Sequence, residues 1–288
     1  MYDVLFAPKR KKYLEKSSPD VDCIFCAIRD ENPDVWTREI YRDEKAIIIM
    51  NIYPYSPGHI QVLPKKHVED LGKLSEKIEK HLLKLIQKGI TLTEKTMNPI
   101  GWNIGINLGE AGASISHLHI QIVPRYENKV EENQKEIHDQ YLKNTDILEK
   151  PLTPKTPSDK KSNCFSDTDY VLTEDPKIHI CQRPYNRGHL IVSPTNHVAD
   201  PRNLSIEEIF RLSKSVTTAK EAIEKNYHPV GLNIGSNIGK VQNTSEHLEI
   251  HIVPRYDPES GFMEVISNSR VVTENLDKTY ERLKPEFD

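Results

Sequence analysis

His117-Leu-His-Ile-Gln-Ile-Val-Pro-Arg-Tyr126 and His247-Leu-Glu-Ile-His-Ile-Val-Pro-Arg-Tyr256 are one ten-residue segment written twice, with eight positions identical. An extended chain points successive side chains to opposite faces, so His117, His119 and Gln121 share one face while Leu118, Ile120 and Ile122 share the other. The apolar face can pack and the polar face can act on a ligand. The second copy keeps the apolar face and rewrites the polar one as His247, Glu249 and His251.

The repetition extends far beyond this segment. Pro54 to His67 matches Pro184 to His197 at seven of fourteen positions, and Gly101 to Gly109 matches Gly231 to Gly239 at six of nine. Every matched pair is separated by the same 130 residues, so about 73 residues align without a gap. Such a fixed offset means two copies of one domain. The boundaries read as a first domain over 1–126, a polar Lys/Glu/Pro-rich connection over 127–162 with a helix in its middle, and a second domain over 163–288.

In each copy two apolar runs, Ala46 to Met50 and Ile60 to Leu63 in the first, read as strands around a Pro/Gly turn. Leu74 to Thr96 places Ile78, Leu82, Leu85, Ile86 and Leu92 on one helical face, with Ser75 as its N-cap. Strands follow at Trp102 to Leu108 and His117 to Val123. The expected class is α+β, with a helix packed on an antiparallel sheet in each copy. After the second copy come an apolar stretch, Phe262 to Val272, and an amphipathic helix near Glu274 to Leu283.

At 288 residues, 36% apolar and 28% charged, the chain is long enough for two cores, and its net charge of -4 gives no electrostatic argument for binding nucleic acid. Lys9, Arg10, Lys11 and Lys12 read as a solvated terminal segment. No run approaches the roughly 20 apolar residues of a membrane span, and no signal-peptide core opens the chain, so a cytoplasmic location is expected. Four cysteines are too few for a disulfide framework. Cys23-Ile-Phe-Cys26 has the spacing of a metal or redox pair. Cys164 and Cys181 read as small buried apolar side chains.

The His-x-His-x-Gln strand, following a loop with Asn107, Gly109, Gly112 and Ser114, resembles the histidine triad (HIT) superfamily of nucleotidyl hydrolases and transferases. Pro-x-x-Pro-Gly-His, Pro-Lys-Lys-His and Asn-x-Gly elements carry the resemblance across both copies. Leu5 to Arg10, Cys23 to Cys26, Met50 to Tyr55 and Gly261 to Val272 resemble the dinucleoside polyphosphate phosphorylase branch. Single-domain members resemble twofold dimers, which implies that this tandem chain is a monomeric pseudo-dimer.

The resemblance implies that His119 attacks an α-phosphate to form a nucleotidyl-histidine, as a neutral imidazole can near pH 7. Ser114 and the backbone amides of its loop would stabilise the phosphate oxygens. Gln121 can orient a phosphate but cannot act as a general acid, which favours transfer to a phosphate acceptor over hydrolysis. Asn51, His59, Asn107, Gly109 and Gly112 are the implied substrate-binding positions. Zinc is the implied cofactor, held structurally by Cys23, Cys26, His67 and His117.

In the second copy Thr153 and Thr156 stand where the two cysteines would be, so its zinc site should be absent. Glu249 replaces the nucleophile, so this copy should form no covalent intermediate. His247, Glu249 and His251 could bind another metal or form a hydrogen-bonded surface group. The expected partners are a nucleotide or dinucleoside polyphosphate and inorganic phosphate or a phosphorylated acceptor. Competing expectations are a hexose-1-phosphate uridylyltransferase-like enzyme, a nucleotide hydrolase, and a non-catalytic nucleotide-binding regulator.

Overall fold

The computed structural model describes residues 20–110, 115–128, 130, 133–152, 170–242, 247–257 and 274–288. Gly112, Ser114, Thr153, Thr156, Cys164 and the stretches 5–10 and 261–272 lie outside them.

The first half runs α1 (Ile24–Arg29), β1 (Glu39–Arg42), β2 (Ala46–Met50), β3 (Ile60–Pro64), α2 (Glu76–Met97), β4 (Gly101–Gly109), β5 (Ile120–Arg125), α3 (Gln134–Leu142) and α4 (Asp146–Glu149). The second half has β6 (Val171–Glu174), β7 (Lys177–Ile180), β8 (Leu190–Ser193), α5 (Ile206–Tyr227), β9 (Gly231–Gly239), β10 (Ile250–Arg255) and α6 (Leu276–Leu283). All ten strands form one sheet in the order β1-β2-β3-β5-β4-β9-β10-β8-β7-β6. Every pairing is antiparallel. The α+β class and the two-copy organisation are thus realised as five strands from each copy, joined at a central seam.

That seam is β4 against β9, paired from Gly101 with Gly239 to Gly109 with Gly231. Gly105 faces Gly235, its own counterpart at the offset of 130 residues, so a pseudo-twofold axis passes between them. Glycine is required here because the backbones approach closely. A Cβ on Gly105 would stand 2.5 Å from the Ile234 carbonyl oxygen, and one on Gly235 would stand 2.6 Å from that of Ile104.

Both long helices pack against the apolar side of the sheet. Leu82, Leu85, Ile90 and Leu92 of α2 share one core with Ile60, Ile120 and Ile122. Leu212, Val216, Ala219 and Ile223 of α5 extend that core into the second half. Ser75 takes the extended N-cap conformation before α2 but makes no capping hydrogen bond, whereas Ser205 forms a full capping box with Glu208 before α5.

The halves are also bound through their helices. The Gln87 side-chain amide donates to the carbonyls of Pro201 (2.8 Å) and Leu204 (2.9 Å). Glu79, 1% exposed, accepts from Ser213 and Lys214. The stretch expected to be a polar connection carries α3, whose Ile137 and Tyr141 enter the core with Leu148 of α4. Tyr141 donates to the Gly58 carbonyl at 2.6 Å. After the second half, α6 likewise buries Leu283. No helix among the described residues is long and apolar enough to cross a membrane.

Candidate active site and metal-ligand cluster

The polar side of the sheet in the first half is covered by α1, whose Phe25, Ala27 and Ile28 form a second small core with Ile47, Ile49 and Leu63. β5 itself begins at Ile120, so His117 and His119 stand in the segment leading into it, yet the alternation expected from the sequence persists. Leu118 and Ile120 enter the main core, while Phe25 meets His117 and His119 edge-on at 5.8 and 5.1 Å between ring centroids.

Cys23 caps α1, its sulfur accepting from the Cys26 amide, so both sulfurs lie at the helix start. Cys23 Sγ lies 3.6 Å from His117 Nδ1, and Cys26 Sγ lies 3.2 Å from His67 Nδ1 and 3.7 Å from His117 Nδ1. The four ligand atoms lie within 4.8 Å of one another and could hold a metal ion. His117 is fully buried, and its Nε2 donates to the Pro64 carbonyl at 2.8 Å. That bond fixes the tautomer and leaves the Nδ1 lone pair for a ligand. Burial holds the imidazole neutral, lowering its pKa to about 4, and neutral is the form a ligating histidine needs.

His119 has the opposite polarity. Its Nδ1 donates to the His117 carbonyl at 2.9 Å, which places the proton on Nδ1 and leaves Nε2 with a lone pair. Burial lowers its pKa below the usual imidazole value. A cavity of about 110 Å³ opens in front of it, lined also by Asn51, Tyr55, Asn107 and Gln121. Its apolar wall includes Ile24, Phe25, Ile28 and Trp36, the last 60% exposed at the surface. A wider groove shares Tyr55, Asn107 and Gln121 with this cavity and crosses the seam as far as His251.

Asn51 Oδ1 accepts from the Tyr53 amide at 2.8 Å, and Asn107 Oδ1 accepts from the Asn233 side chain across the seam, also at 2.8 Å. His59 is fully buried, stacked on Tyr55, and does not line the cavity. Gly109 also stands apart from it, at the end of the seam, where a Cβ would be 2.5 Å from the Val230 carbonyl oxygen. Gly112 and Ser114 are outside the described residues. Sequence reading missed Phe25, Tyr55 and Trp36, because an aromatic wall drawn from α1 and two turns leaves no periodic signal.

In the second half His247 repeats the role of its counterpart, donating from Nε2 to the Pro194 carbonyl at 2.8 Å beside the His197 ring. Of the two alternatives for His247, Glu249 and His251, the grouping around one metal does not form. His251 instead joins His189 and Cys181.

Residues 31–128 and 166–258 each match the family model of the HIT domain. The chain belongs to the HIT family. It is 33% identical over 131 residues to the AP-4-A phosphorylase of Mycobacterium tuberculosis strain H37Rv, an alignment covering 42% of this chain and 67% of that one. It is also 33% identical over 106 residues to protein hit of Bacillus subtilis, covering 36% of this chain and 72% of that protein. The tandem HIT chain has the fold of a GalT-like protein of Arabidopsis thaliana, with a TM-score of 0.65, 17% identity and 91% of each chain covered. An ADP-glucose phosphorylase of the same plant gives a TM-score of 0.65 at 16% identity, covering 95% of this chain and 92% of that one.

Proposed function

We propose that this HIT protein is a nucleotidyltransferase that splits dinucleoside polyphosphates by phosphorolysis. The observation that carries the reading is the His119-to-His117 hydrogen bond, which leaves a neutral, proton-free Nε2 at the cavity wall. In the first step Nε2 attacks the α-phosphorus, an N–P bond forms, and the bridging P–O bond breaks. For diadenosine tetraphosphate this leaves adenylyl-His119 and ATP. Inorganic phosphate then attacks the same phosphorus, the N–P bond breaks, and ADP departs.

A polyphosphate leaves as a stable anion and needs no proton at the moment of cleavage, which is why Gln121 can stand where an acid is otherwise wanted. Gln121 and Asn107 border both the cavity and the groove, so they orient phosphate oxygens through their amides. Asn51 faces the ribose, and the apolar wall with Trp36 takes the base. His59 supports the site by stacking under Tyr55. The resemblance assigns Gly112 and Ser114 to the phosphates, and Gly109, which stands apart from the cavity, is left to the seam.

Zinc is the ion assigned to Cys23, Cys26, His67 and His117. Bonds of about 2.3 Å to sulfur and 2.0–2.1 Å to nitrogen, at tetrahedral angles, separate such ligands by roughly 3.6 Å. The three sulfur-to-nitrogen separations of 3.2 to 3.7 Å lie close to that spacing. With four protein ligands the site is closed, and its work is to hold α1 over the sheet beside His119. The second HIT domain, in this reading, supplies the partner wall of the pseudo-dimer, and the chain acts as a monomer.

The test is incubation of the full chain with α-labelled diadenosine tetraphosphate, with and without phosphate. The expected products are label on His119 without phosphate, and ADP with ATP when phosphate is present. AMP formed without any need for phosphate would mean a hydrolase, and absence of label on His119 would remove the intermediate.

A further inference from the structure

The two halves differ most where they are chemically most loaded. In the first half Ile49, Asn51, His119 and Gln121 line the cavity. At the offset of 130 residues their counterparts are His179, Cys181, Glu249 and His251, while buried His59 corresponds to His189. Three of the four changes introduce a side chain that ligates metals, and the fourth exchanges one ligating type for another. Nothing about packing a sheet requires that coincidence, since Ile49, Asn51 and Gln121 fill three of the same positions in the first half.

These replacements converge in space. Ligand atoms of Cys181, His189 and His251 all lie within 4.8 Å of one another. His189 Nε2 and His251 Nδ1 are 3.1 Å apart, and Cys181 and His189 are buried. Glu249 lies outside that cluster, 3.7 Å from His251 Nε2, the ring nitrogen opposite the one that faces His189. His179 pairs with Ile191, and Ile191 with His251, so the two imidazoles share one face of the sheet. His179 is 5% exposed, and its Nδ1 has no hydrogen-bond partner among the described residues. A buried imidazole nitrogen left in that state is a cost unless something arrives to meet it.

We propose that the second half binds one d-block dication of the zinc class through Cys181, His189 and His251. A thiol and two imidazoles suit such an ion, whereas magnesium and calcium take oxygen ligands. The Tyr185 amide donates to His189 Nδ1 at 3.0 Å, so in the ion-free chain the proton of that ring is on Nε2, shared with His251. A neutral ring ligating through Nε2 carries its proton on Nδ1 instead, so binding exchanges the Tyr185 contact for the metal bond and releases the thiol proton to solvent. The place that holds substrate in one half of the pseudo-dimer becomes an ion site in the other.

The test is cobalt(II) titration of the full-length, metal-stripped chain, reading the ion-to-protein ratio by native mass spectrometry and the visible thiolate-cobalt bands. Cys181→Asn and His251→Gln each install the residue that the first half carries at the same place in the same fold, so both variants are expected to fold, with melting curves as the check. Each variant should hold one ion fewer than the wild-type chain, with the Cys23/Cys26 contribution to the spectrum unchanged. Equal ion counts in wild type and either folded variant would overturn the site.

Discussion

His119 gives its Nδ1 proton to the backbone carbonyl of His117, 2.9 Å away. One residue thus serves the metal-ligand cluster with its side chain and sets the tautomer of the proposed nucleophile with its main chain. Replacing His119 by Ala removes the attacking nitrogen and should lower kcat/KM on diadenosine tetraphosphate by on the order of 10³-fold or more, with no labelled protein. Glu249→Ala should stay within about threefold of wild type, because a carboxylate at that position forms no adduct. Steady-state rates and a label-trapping gel on the two variants decide this, and an active H119A chain would refute the covalent route.

Acid should weaken both rate and fold, for related reasons. Burial lowers the His119 pKa, so its attacking form persists somewhat below the usual imidazole value and is lost as pH falls through the lowered one. The pH profile of kcat/KM should therefore keep its plateau below the pH at which an ordinary imidazole would end it, and decline only as pH falls through the lowered value. A profile already falling steeply from pH 7.5 would mean that the nucleophile is not a buried, neutral histidine.

Stability follows the same sign. Burial lowers His117 and His179 to about 4 and His189 to about 3 from an ordinary 6.5. Each folded value lies below the unfolded one, so the unfolded chain takes up protons first as pH drops. Stability is full above about pH 6.5 and is lost progressively toward pH 4 and below, by up to roughly 1.4 kcal/mol per pH unit for each histidine. Urea midpoints at pH 7, 6 and 5 should fall in that order, and equal midpoints would contradict the burial of these rings.

Much of this architecture was legible in the chain because a duplication prints its own alignment. The constant offset located both strand sets, and the alternation around Leu118, Ile120 and Ile122 told the packed face from the chemical one. The Cys23/Cys26/His67/His117 cluster was readable through resemblance. The seam was not, since β4 and β9 are joined by backbone bonds between two glycine-bearing strands that carry no mark of their partner. Nor was the core role of Ile137 and Tyr141, two apolar side chains in a polar stretch. Cys181 read as an isolated buried thiol because residues 181, 189 and 251 meet only once β7, β8 and β10 are placed side by side.

Gln87 tests how firmly the helices bind the halves together. Its amide serves two carbonyls of the segment before α5, at 2.8 and 2.9 Å, inside a buried contact, and the Pro201 carbonyl also accepts from the Leu204 amide at 3.2 Å. Gln87→Ala takes that donor from both carbonyls, Pro201 keeps the Leu204 amide, and a desolvated acceptor costs about 1–3 kcal/mol. We expect a loss of about 1–3 kcal/mol in urea unfolding, set mainly by the Leu204 carbonyl. A variant as stable as wild type would show that the carbonyls reach solvent.

Gly105 and Gly235 offer a sharper test, because the pseudo-twofold axis makes them one site. A methyl group on Gly105 would press on the Ile234 carbonyl at 2.5 Å, and one on Gly235 on that of Ile104 at 2.6 Å. Both obstacles are backbone, which cannot swing aside as a side chain does, so the seam must open. Each single alanine variant should lose about 3 kcal/mol. The double variant should lose clearly less than the sum, because strands pushed apart by the first methyl group already admit the second. Additive losses in a double-mutant cycle would mean that each glycine is strained separately, and that the two HIT domains do not meet across this pair.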